Sequence, residues 1–292
     1  MPENKFLERV IIGFKKKPLN FILNAFIIYT VIWSLVEPLI GFMPSLGNLI
    51  PQSLKIVLLI SGSIVLGLIR NAIPNEIKIK YDNSIIRIKF GDLFLTEGLN
   101  VIPVSRFFLE TQVVKTSLQN ILINKFIDSE GHSIGLGLYL KSLSRALETS
   151  NFDYIARRND VGREQYYPLG TTAQLRLRNG EYLLFALTET EIEEFIKADN
   201  CDATNMWIAL EEFWKNARRM SRGRNINIPL LGSGVTGIRM NAKQILEFNL
   251  LAIVNALETG GRITTGDISI ILYTPKYLEE INLSDFSNMW IS

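Results

Sequence analysis

Pro229-Leu230-Leu231-Gly232-Ser233-Gly234-Val235-Thr236-Gly237-Ile238 is the stretch whose reading decides the fold. An apolar, β-branched run over 226–231 leads into it and predicts a buried strand. Gly232, Gly234 and Gly237, with the hydroxyl residues Ser233 and Thr236, make the turn. The pattern over 240–257 then predicts a helix. Strand, glycine-rich turn and helix is a recurrent way to hold a phosphate. Glycines let the backbone bend and come close, and free N–H groups at the turn and helix start favour an anion. The spacing Gly232-x-Gly234-x-x-Gly237 also fits the dinucleotide fingerprint, a weak signal by itself. A tight strand-to-helix turn that binds nothing fits the same residues. Lysine does not close the loop, so it is not a P-loop. One strand follows it, whereas the common dinucleotide fingerprint opens its domain.

Composition bounds the rest. A chain of 292 residues has room for one large or two small domains. Apolar residues make up 47%, and the excess is concentrated near the N-terminus. A net charge of +2 gives no argument for a nucleic-acid partner, and none is expected. Cys201 is the single cysteine, so no internal disulfide forms, which fits a reducing compartment. His132 is the single histidine. Together these counts argue against a transition-metal site, and both residues are expected to serve ordinary packing or surface roles.

Lys5, Arg9, Lys15, Lys16 and Lys17 precede an apolar run over 19–36, broken mildly by Asn20, Asn24, Thr30 and Ser34. A second run covers 56–69 and reaches back to Leu49 if Pro51, Gln52 and Lys55 lie in the interface. Crossing the hydrocarbon takes about 20 helical residues, which the first run reaches with residues 38–42. Pro38, Gly41, Pro44, Gly47 and Pro51 break the chain between the runs. We read 1–18 as a cytoplasmic N-terminus and 19–70 as a transmembrane helical hairpin with a short exterior turn. A signal peptide has one apolar core of about 7–15 residues, which two long runs do not fit. A buried soluble hairpin would show a polar face, which the runs lack. Basic residues flank the pair (Arg70, Lys78 and Lys80 after it), and none lies in the connection before Lys55. The positive-inside tendency then puts both ends in the cytoplasm, as in a multi-pass inner-membrane protein. Glu37 beside Pro38 is expected near the outer interface. Ser61, Gly62, Ser63 and Gly67 give the second span a small-residue face where helices approach.

Residues 71–83, with Pro74, read as a polar linker, and 84–292 as a ligand-binding domain. Strands are expected over 85–90, closed by Gly91-Asp92, and over 99–104, before Ser105-Arg106. The mixed stretch 115–127 reads as loop. A helix is expected over 134–147 through Leu138, Leu140, Leu143 and Leu147. The charged stretch 153–164 reads as a solvated loop. Strands 173–177 and 181–187 form a hairpin around Asn179-Gly180. Acidic residues predict a helix start over 189–197. An amphipathic helix over 206–220 puts Leu210, Phe213, Trp214 and Ala217 into the core. The basic run 218–224 reads as a solvated helix end or as a contact for phosphate or anionic lipid. A last strand covers 268–273. Alternating strands and helices predict an α/β domain, in which glycine-rich turns at strand C-ends bind ligands.

Asp92 after a strand, the strand end Ile102-Pro103-Val104-Ser105 where many relatives have Val-Asn-Ala-Ala-Asn, and the loop 229–238 together resemble a macro domain. The resemblance covers about residues 84–284, and the loop is its most specific part. It implies a mixed sheet flanked by helices and binding of ADP-ribose or a related molecule. Macro domains preceded by two membrane spans are similar to the effectors of type II Thoeris anti-phage systems. That resemblance implies a TIR-domain partner making an ADP-ribose-derived signal, histidine-linked ADP-ribose. It also implies homo-oligomerisation on activation and disruption of the lipid bilayer.

The resemblance carries over residue by residue. Asp92 matches the carboxylate that accepts from the adenine amino group, and Leu93 beside it offers a backbone N–H. Gly232, Ser233, Gly234, Val235, Thr236, Gly237 and Ile238 match the loop that holds the diphosphate. Ser105 lies near the distal ribose by position. Tyr273, ending the last strand, matches an aromatic that stacks on adenine. Thr171 and Thr172 follow a glycine-containing turn as lining residues. Each has a plainer reading: Asp92 as a turn residue, Tyr273 as core, the threonines as strand residues.

The departures point away from turnover. Hydrolytic macro domains carry an Asn-containing strand end followed by glycines, whereas this chain has Pro103-Val104-Ser105-Arg106-Phe107 and no glycine over 110–124. No placed carboxylate or histidine base is evident. A non-enzymatic receptor without cofactor, metal or catalytic residues is therefore expected. A membrane-tethered ADP-ribosyl hydrolase and a structural membrane protein with an empty loop are the alternatives.

Overall fold

The computed structural model describes residues 5–42, 51–108, 117–130, 132–156, 163–177, 180–188, 190–191, 197–198, 202–234 and 238–290. The chain divides into two compact units, Met1–Asn75 with Asn282–Phe286, and Glu76–Ile281 with Ser287–Ser292.

Among the described residues, the first unit holds the helices α1 (Lys5–Lys16), α2 (Pro18–Phe42) and α3 (Gln52–Arg70), and the start of a short helix over Leu283–Trp290. Both α2 and α3 are long and apolar enough to cross a membrane. No residue of α2 is buried; Leu19, Ile22, Phe26, Val31, Leu35 and Leu39 are exposed, while a stripe through Phe21, Ala25, Ile28, Ile32 and Val36 is half-buried. A core helix of a soluble protein would be covered instead. The hydroxyl residues along both helices donate to their own backbone. Thr30 bonds the Ile27 carbonyl at 2.8 Å, Ser34 that of Val31 at 2.9 Å and Ser63 that of Leu59 at 2.7 Å. Helices in an apolar medium need such internal satisfaction. The small-residue face is used inside the hairpin. Ser63 and Gly67 are the buried residues of α3, and a Cβ at Gly67 would lie 2.9 Å from the Ala25 Cβ. Gly62 meets nothing within 4 Å.

The second unit is built on a seven-stranded sheet. Its strands are β1 (Glu76–Tyr81), β2 (Ser84–Gly91), β3 (Leu99–Ser105), β6 (Thr172–Leu177), β7 (Gly180–Thr188), β10 (Ile226–Pro229) and β11 (Ile268–Tyr273). Their spatial order is β1-β2-β11-β10-β3-β7-β6. The five inner strands run parallel, and β1 and β6 close the edges antiparallel. A parallel sheet must be covered on both faces, and β7 shows how. Tyr182, Leu184 and Ala186 join a core with Leu122 and Phe126 of α4 (Leu118–Glu130) and Tyr139 and Leu143 of α5 (His132–Leu147). On the alternate side Phe185 packs on Phe213 of α6 (Ala203–Ser221), ring centroids 4.6 Å apart. The final large helix is α7 (Ala242–Gly260), opened by an Asn241–Gln244 capping box.

Four sequence expectations change. The stretch 71–83 contains β1, whose Ile77 and Ile79 are turned into the core between the outward Lys78 and Lys80. Lysines on such a strand guard the sheet edge. Residues 118–130 form α4 rather than loop, because Leu122 and Phe126, one turn apart, bury one face. Within 153–164 the chain forms β4 (Asp153–Ala156), paired with β5 (Arg163–Tyr166) in a ribbon of its own. Thr190–Glu191 (β8) pairs with Lys197–Ala198 (β9), so these residues are strand and not helix, while the rest of the expected helix start, 189 and 192–196, lies outside the described residues. Gly180 is already a paired residue of β7, opposite Leu177, and Asn179 and Cys201 lie outside the described residues. In α5 the buried residues are Tyr139, Leu143 and Leu147, while Leu138 and Leu140 are exposed. The basic run is tied inward. Arg218 donates to the Ala256 carbonyl at 2.7 Å, Arg224 donates to the Ser221 carbonyl at 2.9 Å, and Arg224 also pairs with Glu181.

Candidate functional site

Parallel strands bring their C-terminal ends to one edge of the sheet. Asp92 follows β2, Tyr273 ends β11, the loop from Leu230 follows β10, and Ser105 ends β3 opposite Thr188 of β7. Because β6 runs antiparallel, its start at Thr172, opposite Phe185, falls at the same edge. The sequence-predicted residues that the structure describes therefore share one rim, in the order Asp92, Tyr273, loop, Ser105, Thr172. From β2 to β3 this rim spans three strand spacings, about 14 Å.

The loop is held by its carbonyls. Leu230 O accepts from the Ser233 N–H at 3.3 Å and from the Ser233 hydroxyl at 2.5 Å. Leu231 O accepts from the buried Asn249 Nδ2 at 2.9 Å, and Ser233 O from the Lys276 ammonium at 2.8 Å. In a planar trans peptide the N–H points opposite its carbonyl. With the Leu230, Leu231 and Ser233 carbonyls taken, the N–H groups of Leu231, Gly232 and Gly234 point away from Ser233, Asn249 and Lys276 respectively. Backbone amides aligned in this way are the chemical basis of an anion cradle, and the Lys276 charge stands beside them. Gly232 has φ +89°, and a Cβ there would sit 2.9 Å from both Ile238 Cδ1 and Met206 Sδ. Gly234 is exposed, and its added Cβ would meet nothing within 4 Å. Val235, Thr236 and Gly237 lie outside the described residues. Ile238 is half-buried beyond them, and its carbonyl accepts from the Met240 N–H at 2.7 Å.

The other predicted residues divide. Asp92 is half-buried and caps a short 3-10 turn (Leu93–Leu95), its Oδ1 accepting from the Phe94 N–H at 2.9 Å. The plain turn role and the rim position therefore coexist. Leu93 has its side chain in the core, with its N–H at the start of that turn, where helices leave donors unpaired. Tyr273 is 54% exposed, which places its ring on the rim and not in the core. Ser105 is on the rim but buried, its hydroxyl accepting from the Phe107 N–H at 3.4 Å. Thr172 is also buried and donates to Met220 Sδ at 3.5 Å, toward α6 and away from the rim. Thr171 contributes backbone, donating to Pro168 O at 3.1 Å and accepting from the Ala186 N–H at 2.9 Å.

Sequence reasoning missed the loop's supports. Lys276 and Tyr277 belong to α8 (Thr274–Tyr277), directly after β11. The Tyr277 hydroxyl donates to Ser233 Oγ at 2.5 Å, and the Lys276 ammonium lies 4.9 Å from the Tyr277 ring centre. These contacts exist because β10 and β11 are parallel neighbours, which single-sequence reading does not reveal. Asn249 was findable in part, as a polar residue among Leu246, Leu250 and Ile253 on the buried face of α7.

Comparison with known proteins assigns the chain to a family. Residues 86–273, more than half of the chain, match the family described as Thoeris protein ThsA, Macro domain. Among solved structures, an Oceanobacillus iheyensis macrodomain with ADP is 13% identical, covering 73% of this chain and 97% of that one at a TM-score of 0.45. The same organism's macrodomain with MES bound is also 13% identical, covering 73% and 98% at a TM-score of 0.44. No curated protein matches the chain. The family match carries the assignment, and this chain belongs to the Thoeris ThsA macro-domain family.

Proposed function

We propose that this protein is a membrane-anchored receptor and effector of anti-phage defence. Its macro domain binds an ADP-ribose-derived signal, histidine-linked ADP-ribose, made by a TIR-domain partner, and does so without turnover. The observation that carries this reading is the order along the rim. Asp92 and Tyr273 stand on adjacent strands, the amide loop comes next, and the end of β3 follows. That is the order adenine, diphosphate, distal ribose in which the ligand itself is joined. Membership of the Thoeris family supports the defence role. The outward apolar surface of α2 supports anchoring in the inner membrane, with the macro domain cytoplasmic. Ligand binding drives assembly of the domains only if the assembled state binds it more tightly than the resting one. The spans then cluster and disturb the bilayer.

Calorimetry tests the proposal on the full chain in lipid nanodiscs, titrated with ADP-ribose, NAD and histidine-linked ADP-ribose. Saturable heat with an ADP-ribose compound, and recovery of that compound unaltered, are expected. Silence with all three removes the receptor reading. Release of free ADP-ribose from the linked compound replaces it with a hydrolase.

A further inference from the structure

Helix α1 is amphipathic in a way that neither the hairpin nor the macro domain requires. At 100° per residue, Phe6, Val10, Phe14, Leu7 and Ile11 fall within an arc of about 140°. Glu8, Arg9, Lys15 and Lys16 occupy the rest, with Ile12 and Gly13. Most of the apolar arc is exposed, Phe6 at 43%, Leu7 at 52%, Ile11 at 52% and Phe14 at 42%, while Val10 is half-buried and the Phe14 ring meets that of Phe21 edge-on at 5.1 Å. Arg9, Lys15 and Lys16 against Glu8 leave the polar arc positive.

The position of this helix is fixed at the flank of that arc, at Arg9 and Gly13. Asn71, just past α3, donates from Nδ2 to the Gly13 carbonyl at 2.9 Å, and the Ile73 N–H donates to the Arg9 carbonyl at 3.3 Å. Gly13 permits this approach, because a Cβ there would stand 2.2 Å from the Asn71 carbonyl oxygen. The Lys17 N–H bonds Gly13 O at 3.0 Å, and Pro18 then opens α2. So α1 is bonded both to the start of α2 and to the exit of α3, the two points where the hairpin begins and ends.

We propose that α1 lies in the cytoplasmic headgroup layer and binds anionic phospholipid. Its apolar arc enters the acyl boundary and its lysines meet lipid phosphates. This rests on the reading of α2 and α3 as membrane spans. The reasons are continuity and charge. A helix bonded to both ends of a membrane hairpin sits at the lipid surface, and aromatic and aliphatic residues beside lysines suit that layer. Basic segments next to a span are drawn to the anionic cytoplasmic leaflet. By holding 71–73, α1 also fixes the backbone leaving α3 at headgroup depth.

The test uses the full chain in vesicles with a Cys201→Ser background and a single environment-sensitive label. The label sits at Ile11→Cys, Glu8→Cys or Val31→Cys, and the lipids are brominated at shallow or deep chain positions. We expect the label at 11 to be quenched by shallow bromines, that at 8 to stay unquenched, and that at 31 to be quenched by deep ones. Quenching at 11 should rise as phosphatidylglycerol replaces phosphatidylcholine. Lys15→Gln with Lys16→Gln should lower the docked-to-free ratio about fivefold per lysine. Quenching at 31 without quenching at 11 overturns the inference while the spans stand. Quenching at neither site removes the spans and the inference together. A label at 11 shielded from water but unquenched, in proportion to protein density, shows a second copy on this face and overturns the inference. Quenching at 11 that ignores lipid charge overturns the anionic preference.

Discussion

Gly234→Glu separates binding from folding. An added Cβ at this position meets no heavy atom of the described residues within 4 Å, and the residue is exposed. Surface changes of that kind move stability by no more than about 0.5 kcal/mol. A carboxylate within about 5 Å of a bound phosphate costs about 1 kcal/mol per charge pair at the dielectric of water. At an effective value of about 20 the cost is about 3 kcal/mol. At 1.4 kcal/mol per tenfold, the dissociation constant rises about 5- to 150-fold. Thermal unfolding of the full chain with and without histidine-linked ADP-ribose reads both quantities. At a ligand concentration 100 times the parent's dissociation constant, the parent gains about 2.7 kcal/mol, and a variant weakened 100-fold gains about 0.4 kcal/mol. Gly234→Ala controls for the side chain without its charge and should gain nearly as much as the parent. Parent-like stabilisation of Gly234→Glu, with unaltered unfolding in the absence of ligand, would show that these amides do not hold the anion.

Three further outcomes are expected. Gly232→Ala forces a side chain into φ +89° and against Ile238 and Met206. It should lose about 2–4 kcal/mol of stability in urea unfolding. Tyr277→Phe removes the donor to Ser233 Oγ. About 1 kcal/mol of stability should go, and ligand affinity should fall with it, read in the same titration. Arg87 pairs with both Glu76 and Asp267 at 2.6 Å and joins β1 to the turn before β11. Arg87→Met should cost about 1–2 kcal/mol, with the difference shrinking as salt is raised.

Much of the second unit was legible because its signals are local. The runs 226–231 and 268–272 are almost wholly buried, and each reads as a mainly apolar stretch with one polar residue, Asn227 or Ser269. The helix over 203–221 announced itself by Leu210, Phe213, Trp214 and Ala217, all buried. What failed was short or sparse. β1 offers two inward isoleucines between lysines, too few to outweigh Pro74 and the polar residues before them. α4 spreads Leu118, Ile121, Leu122, Ile123, Phe126 and Ile127 among asparagines, a glutamine and a lysine, so no single apolar stripe stands out in the sequence before α5 packs against it. β8 and β9 are two residues each, below the length at which alternation means anything.

The candidate site was legible as a set of chain positions but not as a set of side chains. Parallel topology guarantees that residues ending β2, β3, β10 and β11 reach one rim, so an expectation tied to strand ends survives folding. Where a side chain points depends on the pleat, and a single residue of register reverses it. Thr172 and Ser105 stand at rim positions, and both hydroxyls turn inward. Tyr273 stands at an equivalent strand end and turns outward. The loop is different in kind, because its chemistry belongs to the backbone. Three carbonyls tied to Ser233, Asn249 and Lys276 orient the amides whatever the side chains do. Two of those three donors stand on neighbouring elements, far along the chain. The glycines give the loop its shape, while the direction of its N–H groups also draws on contacts from outside it: Asn249 once α7 has packed, and Lys276 once β11 has docked beside β10.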